Sequence, residues 1–307
     1  DLHSSRTTSS YQEILSLIGD IDSGTTNSLF INQVDLNYSV SGNINLKSSL
    51  SKLGFIVSMN SFIDDTSQYA DIILPLNTQF ESWGNDVPVI GPGYEVVGFQ
   101  QPIVKSRFSN KGRQSGAKSA EEIIMELSKI MDFKNKYSGK TMKDVLMDDA
   151  KNIMNLNRGS IRANDLKTFW NGLLSRGGWW DVKSKVSKLE KTKLKQWPKI
   201  NSPEFSSSKS SYHLIPFKTT VSDGSLANLP WLQGLTDPMT TIAWETWVEI
   251  NEQEADKLKI KEGDVLEIDN GNGRKIKAVA YPTPATPPNV LSVPVGRGQT
   301  TGRYTSG

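Results

Sequence analysis

The 307-residue chain contains no cysteine and only two histidines, His3 and His213. Without thiols it cannot hold a thiolate-ligated iron–sulfur cluster or zinc ion, close a disulfide, or supply a thiol nucleophile. Two histidines this far apart in sequence give little basis for a His-rich metal site or a Ser-His-Asp triad. Long apolar runs are missing too. Nothing approaches the ~18 consecutive apolar residues of a spanning helix, so no transmembrane segment is expected. Charge of one sign is also lacking: 35 Lys+Arg against 33 Asp+Glu leave a net +2, and the summed field gives no reason to expect nucleic acid as a partner. The chain opens at Asp1 without a basic-then-apolar signal peptide and reads as a fragment of something longer.

What is present suffices for folded structure. Apolar residues make up 36% and charged residues 22% of the chain, and the length corresponds to about two domains at ~150 residues each. Residues 1–10 are polar and Ser/Thr-rich, and are expected to be disordered or a severed connection. From Tyr11 to about Gly116 short apolar runs (Leu29-Phe30-Ile31, Phe55-Ile56-Val57, Ile72-Ile73-Leu74) alternate with helical patterns, the signature of an α/β domain with a parallel sheet. Residues 117–211 read as a helical insert and linker, with helices over Ala120 to Met131, Met142 to Met154 and Asp165 to Leu174. Within it, Lys183, Lys185, Lys188, Lys191, Lys193, Lys195 and Lys199 face a single acid, Glu190. Such a run suits anionic lipid or an acidic subunit, or else is a solvated arm. Residues 212–307 change to short strands separated by turns, among them Asn270-Gly271-Asn272-Gly273, and are expected to form a small barrel of six or seven strands.

Two stretches resemble the molybdopterin oxidoreductase superfamily of the dimethylsulfoxide reductase type. One runs from Phe55 through Ser61-Phe62-Ile63-Asp64-Asp65-Thr66 and Ala70-Asp71-Ile72-Ile73-Leu74-Pro75 to Glu81-Ser82-Trp83-Gly84. The other runs from Trp247-Val248-Glu249-Ile250-Asn251 to Gly263-Asp264-Val265. Leu235-Thr236-Asp237-Pro238-Met239-Thr240 and Gly296-Arg297-Gly298-Gln299-Thr300 further resemble the large iron–sulfur/molybdopterin-like subunit of alternative complex III and of polysulfide-reductase-like complexes. The resemblance implies a Rossmann-like α/β domain followed by a double-psi β-barrel. It also implies the last part of the molybdopterin-like half of a subunit, with iron–sulfur clusters only in regions this chain lacks. The expected partners are other subunits of a membrane-associated respiratory complex that oxidises quinol, on the extracytoplasmic side.

In function, the resemblance implies a cofactor-free scaffold of that complex. The alternative is the cofactor-binding half of an active bis-molybdopterin-guanine-dinucleotide oxidoreductase, and a third reading is a free-standing barrel that only binds. One departure argues against a tightly held dinucleotide. Where catalytic members of the family usually have Asn-Pro after the strand at Leu29, this chain has Asp35-Leu36 before Asn37-Tyr38. No metal ligand and no catalytic residue carries over.

If molybdopterin guanine dinucleotide is bound, the candidate residues are Asp65, Thr66, Asp71, Arg297, Gly298, Gln299 and Thr300. Asp65-Thr66 either offers an acid to a guanine edge at a helix start or is an ordinary N-cap. Asp71 either reads a cofactor amide or pairs with backbone at a sheet edge. The loop Gly296-Arg297-Gly298-Gln299-Thr300-Thr301-Gly302 either cradles phosphate through N–H groups or is a barrel corner; it does not match G-x-x-x-x-G-K-[ST]. Glu81 with Asp86 reads as an acid–base pair or as two surface carboxylates. Trp231, Trp244 and Trp247 read as a quinone or partner surface, or as core.

Overall fold

The computed structural model describes residues 9–40, 44–88, 92–106, 116–133, 135–184, 212–271 and 273–302. Contacts divide the chain into two units, one of residues 1–33, 45–61 and 69–196, the other of residues 34–44, 62–68 and 197–307. The Lys-rich run lies almost wholly outside the described residues; only Lys183 falls within them.

The first unit opens with α1 (Tyr11–Asp22), started by a capping box in which Ser10 and Glu13 satisfy each other's N–H groups. Its buried face carries Ile18 and Ile21. β1 (Ser28–Asn32) follows, and the chain then lends a short helix, α2 (Leu36–Ser39), to the second unit before returning as α3 (Leu46–Leu50) and β2 (Phe55–Asn60). A second excursion, residues 62–68, precedes β3 (Ile72–Pro75). The three strands form a parallel sheet in the order β1-β2-β3, with Ile31 opposite Ser58 and Val57 opposite Ile72. The central strand β2 is buried from Ile56 to Met59, as a strand covered on both faces must be.

The unit continues as β4 (Gly84–Asp86), β5 (Glu95–Gln100), α4 (Ala120–Ile130), α5 (Met142–Met154), α6 (Leu166–Arg176) and β6 (Gly178–Asp181). The three helices are legible in the sequence because each begins at a strong cap: Ser119 with Glu122, Thr141 with Asp144, and Asp165 accepting from the Thr168 N–H. The sequence reading missed β5 and β6. They pair with β4 as an antiparallel sheet in the order β4-β5-β6, so the helices expected as an insert instead share a core with strands. That core joins Val97 and Phe99 of β5 to Leu146, Ala150, Phe169, Leu173 and Trp179. β6 is only four residues long and follows Gly177, which ends α6 in the left-handed conformation, so periodicity had too few residues to register it.

In the second unit, β7 (His213–Phe217), α7 (Pro230–Gln233), β8 (Trp247–Asn251), α8 (Glu252–Leu258), β9 (Val265–Asp269), β10 (Lys275–Thr283) and β11 (Val290–Pro294) follow one another. The strands form one mixed sheet, ordered β7-β11-β8-β10-β9. β8 runs parallel to β10 and antiparallel to β11. The Asn-Gly turn closes the β9–β10 hairpin with Gly271 and Gly273 at positive φ. Five strands are present among the described residues where six or seven were expected, and the edge strands β7 and β9 do not pair with each other. The core side holds Val248, Ala278 and Val293. No helix among the described residues is long and apolar enough to cross a membrane.

Gly159 has φ +88, and a Cβ there would run into the indole ring of the fully buried Trp179. Left-handed strain and overpacking add, so Gly159→Ala is expected to cost about 2–5 kcal/mol in urea denaturation. Gly24 has φ +78 but faces open space. Gly24→Ala carries the backbone strain alone and should cost about 1–2 kcal/mol. Equal costs would mean that the contact with Trp179 adds nothing.

Candidate functional site

The candidate residues that the fold gathers all belong to the second unit, and they arrive from three places in the sequence. Asp35 comes from the first excursion, Asp64 to Ser67 from the second, and residues 296–302 follow β11.

Asp35 organises the first two. Its carboxylate accepts from the Tyr38 N–H at 3.2 Å, capping α2, and from the Thr66 hydroxyl at 2.7 Å and the Asp65 N–H at 3.2 Å. The Thr66 hydroxyl in turn accepts from the Asn37 N–H at 2.9 Å. Burial raises the Asp35 pKa, the Thr66 hydrogen bond opposes that, and the neighbouring Asp64 charge adds to the rise. This carboxylate shapes the turn that follows β1. Asp64, not Asp65, caps the turn that follows: it accepts from the Ser67 N–H at 2.7 Å and the Ser67 hydroxyl at 2.6 Å.

Asp65 is turned elsewhere. Both of its oxygens lie 3.0 Å from the Thr300 N–H, and one accepts from the Thr301 N–H at 2.6 Å. Its residue is 4% exposed. Two successive backbone N–H groups converging on one anion form a nest.

The loop that supplies them is held at further points. Gly296, Gly298 and Gly302 all have positive φ. The Tyr38 hydroxyl donates to the Arg297 carbonyl at 3.1 Å. The Gln299 amide donates through Nε2 to the carbonyls of Gly224 and Gly296 at 3.3 and 3.4 Å. Gly224 has φ +101, and a Cβ on it would lie 2.8 Å from Gln299 Nε2, so glycine is needed for this close approach.

Two side chains on the loop are left with unused capacity. Arg297 Nε and Nη1 and Gln299 Oε1 are buried with no hydrogen-bond partner among the described residues. Burial lowers the Arg297 pKa, and no carboxylate pairs with it among the described residues. The acids of the cluster are engaged with other groups: Asp35, Asp64 and Asp65 as above, and Asp223 with the Ser225 N–H at 3.2 Å. A desolvated guanidinium without an acceptor is costly, and such a group in a folded protein calls for a partner. Gln299 is 4% exposed, and because its Nε2 faces two carbonyls, the atom left over is an acceptor. The loop therefore offers a cation for an anionic oxygen and an oxygen for an N–H or O–H donor.

The other candidates are not part of this cluster. Asp71 lies in the first unit, where its carboxylate accepts from the Ile56 N–H at 2.7 Å beside the edge strand β3, the backbone-pairing alternative. Glu81 accepts from the N–H and hydroxyl of Thr78 at 2.8 and 2.9 Å, which engages it in a cap. Trp247 is core, packed edge-on against Phe217 at 5.9 Å, whereas Trp231 and Trp244 are exposed by 67% and 51%. The first unit has its own polar cavity of about 650 Å3, lined by Asn32, Asn77, Asn85, Gln100, Trp83 and Asp86 among others. No cluster of three or more His, Cys, Asp or Glu suited to a metal ion exists among the described residues. The sequence reading missed Tyr38 and Gly224; Ser222-Asp223-Gly224 had the composition of a turn but nothing to link it to residue 299.

Residues 235–306 match the family described as molydopterin dinucleotide binding domain. No curated protein matches the chain. Among solved structures, acetylene hydratase from Pelobacter acetylenicus is similar over 92% of this chain, with a TM-score of 0.61 and 14% sequence identity. The chain spans 39% of the length of that protein, and the likeness is one of fold.

Thr66 is 1% exposed, and its hydroxyl both donates and accepts. Thr66→Val keeps the shape and strands the Asn37 N–H, which should cost about 1–3 kcal/mol in urea denaturation. Thr66→Ser should cost less than half of that. Equal losses would show that the methyl group and not the hydroxyl matters.

Proposed function

We propose that the second unit holds a molybdopterin guanine dinucleotide, and that the chain is the closing part of the molybdopterin-like half of an oxidoreductase subunit. The single observation that carries this is Arg297, a half-buried guanidinium with two unpartnered nitrogens on a glycine-rich loop inside the segment that matches the dinucleotide-binding family. The residues fit the group. Arg297 would take a phosphate oxygen in a charge-assisted bond, and Gln299 Oε1 would accept from a ribose hydroxyl or a base N–H. Gly298 lets the backbone approach closely, while the Thr300 N–H is taken by Asp65 and holds the loop. When bound, the molybdopterin supplies the metal-centred redox chemistry, while this chain's residues bind and orient its nucleotide end. The five-stranded sheet is read as most of a double-psi barrel.

Calorimetric titration of the full chain with GDP, the nucleotide half of the group, tests the reading. Binding is expected, and Arg297→Ala should weaken it about 10-fold or more, the worth of a hydrogen bond to a charged group. A wild-type chain that binds neither GDP nor the complete dinucleotide would rule the reading out.

A cofactor-free scaffold is the second reading. It is favoured by Asp65, which fills the Thr300 and Thr301 N–H groups with a carboxylate of the chain itself. On either reading the resemblance to the alternative complex III subunit suggests a host: a membrane-associated respiratory complex on the extracytoplasmic side. The lysines between Lys183 and Lys199 would meet an acidic subunit or anionic headgroups there. Binding of the chain to anionic vesicles should then weaken as salt rises from 0.05 to 0.5 M, because contacts of this kind are screened. Changing four of the lysines to Ser should weaken it at low salt. An unchanged variant would make the run a solvated arm.

A further inference from the structure

We infer that Asp65 is a positioning residue of the nucleotide site, one that acts through the 296–302 loop without touching the ligand. The inference rests on the dinucleotide reading above and changes the role the sequence suggested for this acid.

An ionised carboxylate has about four acceptor positions. Asp65 places three contacts on the Thr300 and Thr301 N–H groups, the shortest at 2.6 Å, and is almost fully buried. To accept from a guanine edge it would have to release those amides and give up the part-buried contacts that hold residues 300 and 301. Its own N–H is held by Asp35, so the contacts form a chain from Asp35 through Asp65 to the loop. The loop needs such an anchor. Three of its residues are glycines at positive φ, each with much conformational freedom to lose. The Tyr38 and Gln299 contacts fix the part around Gly296 and Arg297, and Asp65 fixes the part after Gln299. Asp65 is spent on backbone amides, and Arg297 Nε and Nη1 have no acceptor among the described residues. Anchoring the loop and leaving its guanidinium uncompensated are thus one arrangement.

The test compares the full-length wild type, Asp65→Ala, Arg297→Ala and the double variant in calorimetric titrations with GDP and with inorganic pyrophosphate. Amide hydrogen exchange of residues 300–301 is followed alongside. Asp65→Ala is expected to weaken GDP and pyrophosphate by the same factor, about 10-fold, and to remove the protection of the 300–301 amides. Arg297→Ala should weaken both ligands and keep that protection. The double variant should bind no more weakly than Arg297→Ala, since the acid acts through the arginine's placement. If Asp65→Ala folds poorly, Asp65→Asn, which keeps one acceptor oxygen, should fall between it and wild type in both readouts.

Loss of GDP affinity with pyrophosphate affinity intact would mean that Asp65 reads the base directly and would overturn the inference. Unchanged or tighter binding by Asp65→Ala would also overturn it, the latter by showing that the carboxylate competes with phosphate. A wild type that binds both ligands beside an unaffected Asp65→Ala removes this inference alone. A wild type that binds neither removes the dinucleotide reading and this inference with it.

Discussion

The carboxylate of Asp65 on the Thr300 and Thr301 amides ties together parts of the chain more than 230 residues apart, and the place of the loop after β11 depends on that tie. Closing so long a loop is expensive in chain entropy, although the cost grows only slowly with length. A part-buried, charge-assisted contact is one of the few single interactions strong enough to fix where the closure occurs. The neighbouring contacts follow from it. Gln299 reaches Gly224 because residue 300 is held, and Gly224 must lack a Cβ because Gln299 and Tyr38 occupy the space. Asp35 then faces inward because the Asp65 N–H and the Thr66 hydroxyl both need an acceptor.

The acids of the second unit's polar cluster follow the same pattern. Asp35, Asp64, Asp65 and Asp223 all accept from backbone or hydroxyl donors, Asp65 in the nest on residues 300 and 301 and the others in local caps and turns. The two buried ones, Asp64 and Asp65, are stabilised by N–H and hydroxyl donors rather than by a cation. Had any of them paired with Arg297, the guanidinium would have been neutralised inside the protein. An arginine that is half-buried and unpaired among the described residues costs stability, a cost that the proposed anionic ligand would offset.

The sequence was most legible where local chemistry decides structure. Ser119 with Glu122 and Thr141 with Asp144 announce α4 and α5, and Asn270-Gly271 announces the hairpin between β9 and β10. The parallel strands could be read from apolar runs such as Phe55-Ile56-Val57 because both faces of β2 are covered. β5 and β6 were not legible, since their pairing joins Glu95 to Asp181 across three helices and depends on contacts distant in sequence. At the site, Asp65, Arg297, Gln299 and Thr300 could be named from composition and family likeness. Their roles could not, because whether a carboxylate meets a ligand or a backbone amide is decided by which loop lies beside it. Asp71 shows the limit from the other side: the same residue type, in an equally suggestive segment, is used to hold Ile56.

That the site is coded in three pieces follows from how parallel sheets are built. Loops leaving the carboxyl ends of parallel strands are where α/β proteins put ligand-handling groups, because the chain there is free of the hydrogen-bond ladder. Here the segments after β1 and β2 are given to the second unit, as residues 34–44 and 62–68. A strand sequence is constrained at nearly every position by burial on two faces, whereas such a segment is constrained only at the few residues that bond. Asp35, Tyr38, Asp64, Asp65 and Thr66 are those residues. This accounts for how a fold can be shared with acetylene hydratase over 92% of the chain at 14% identity. The scaffold needs only apolar residues in the right periodicity, and the chemistry of the site rests on a handful of side chains that periodicity does not specify.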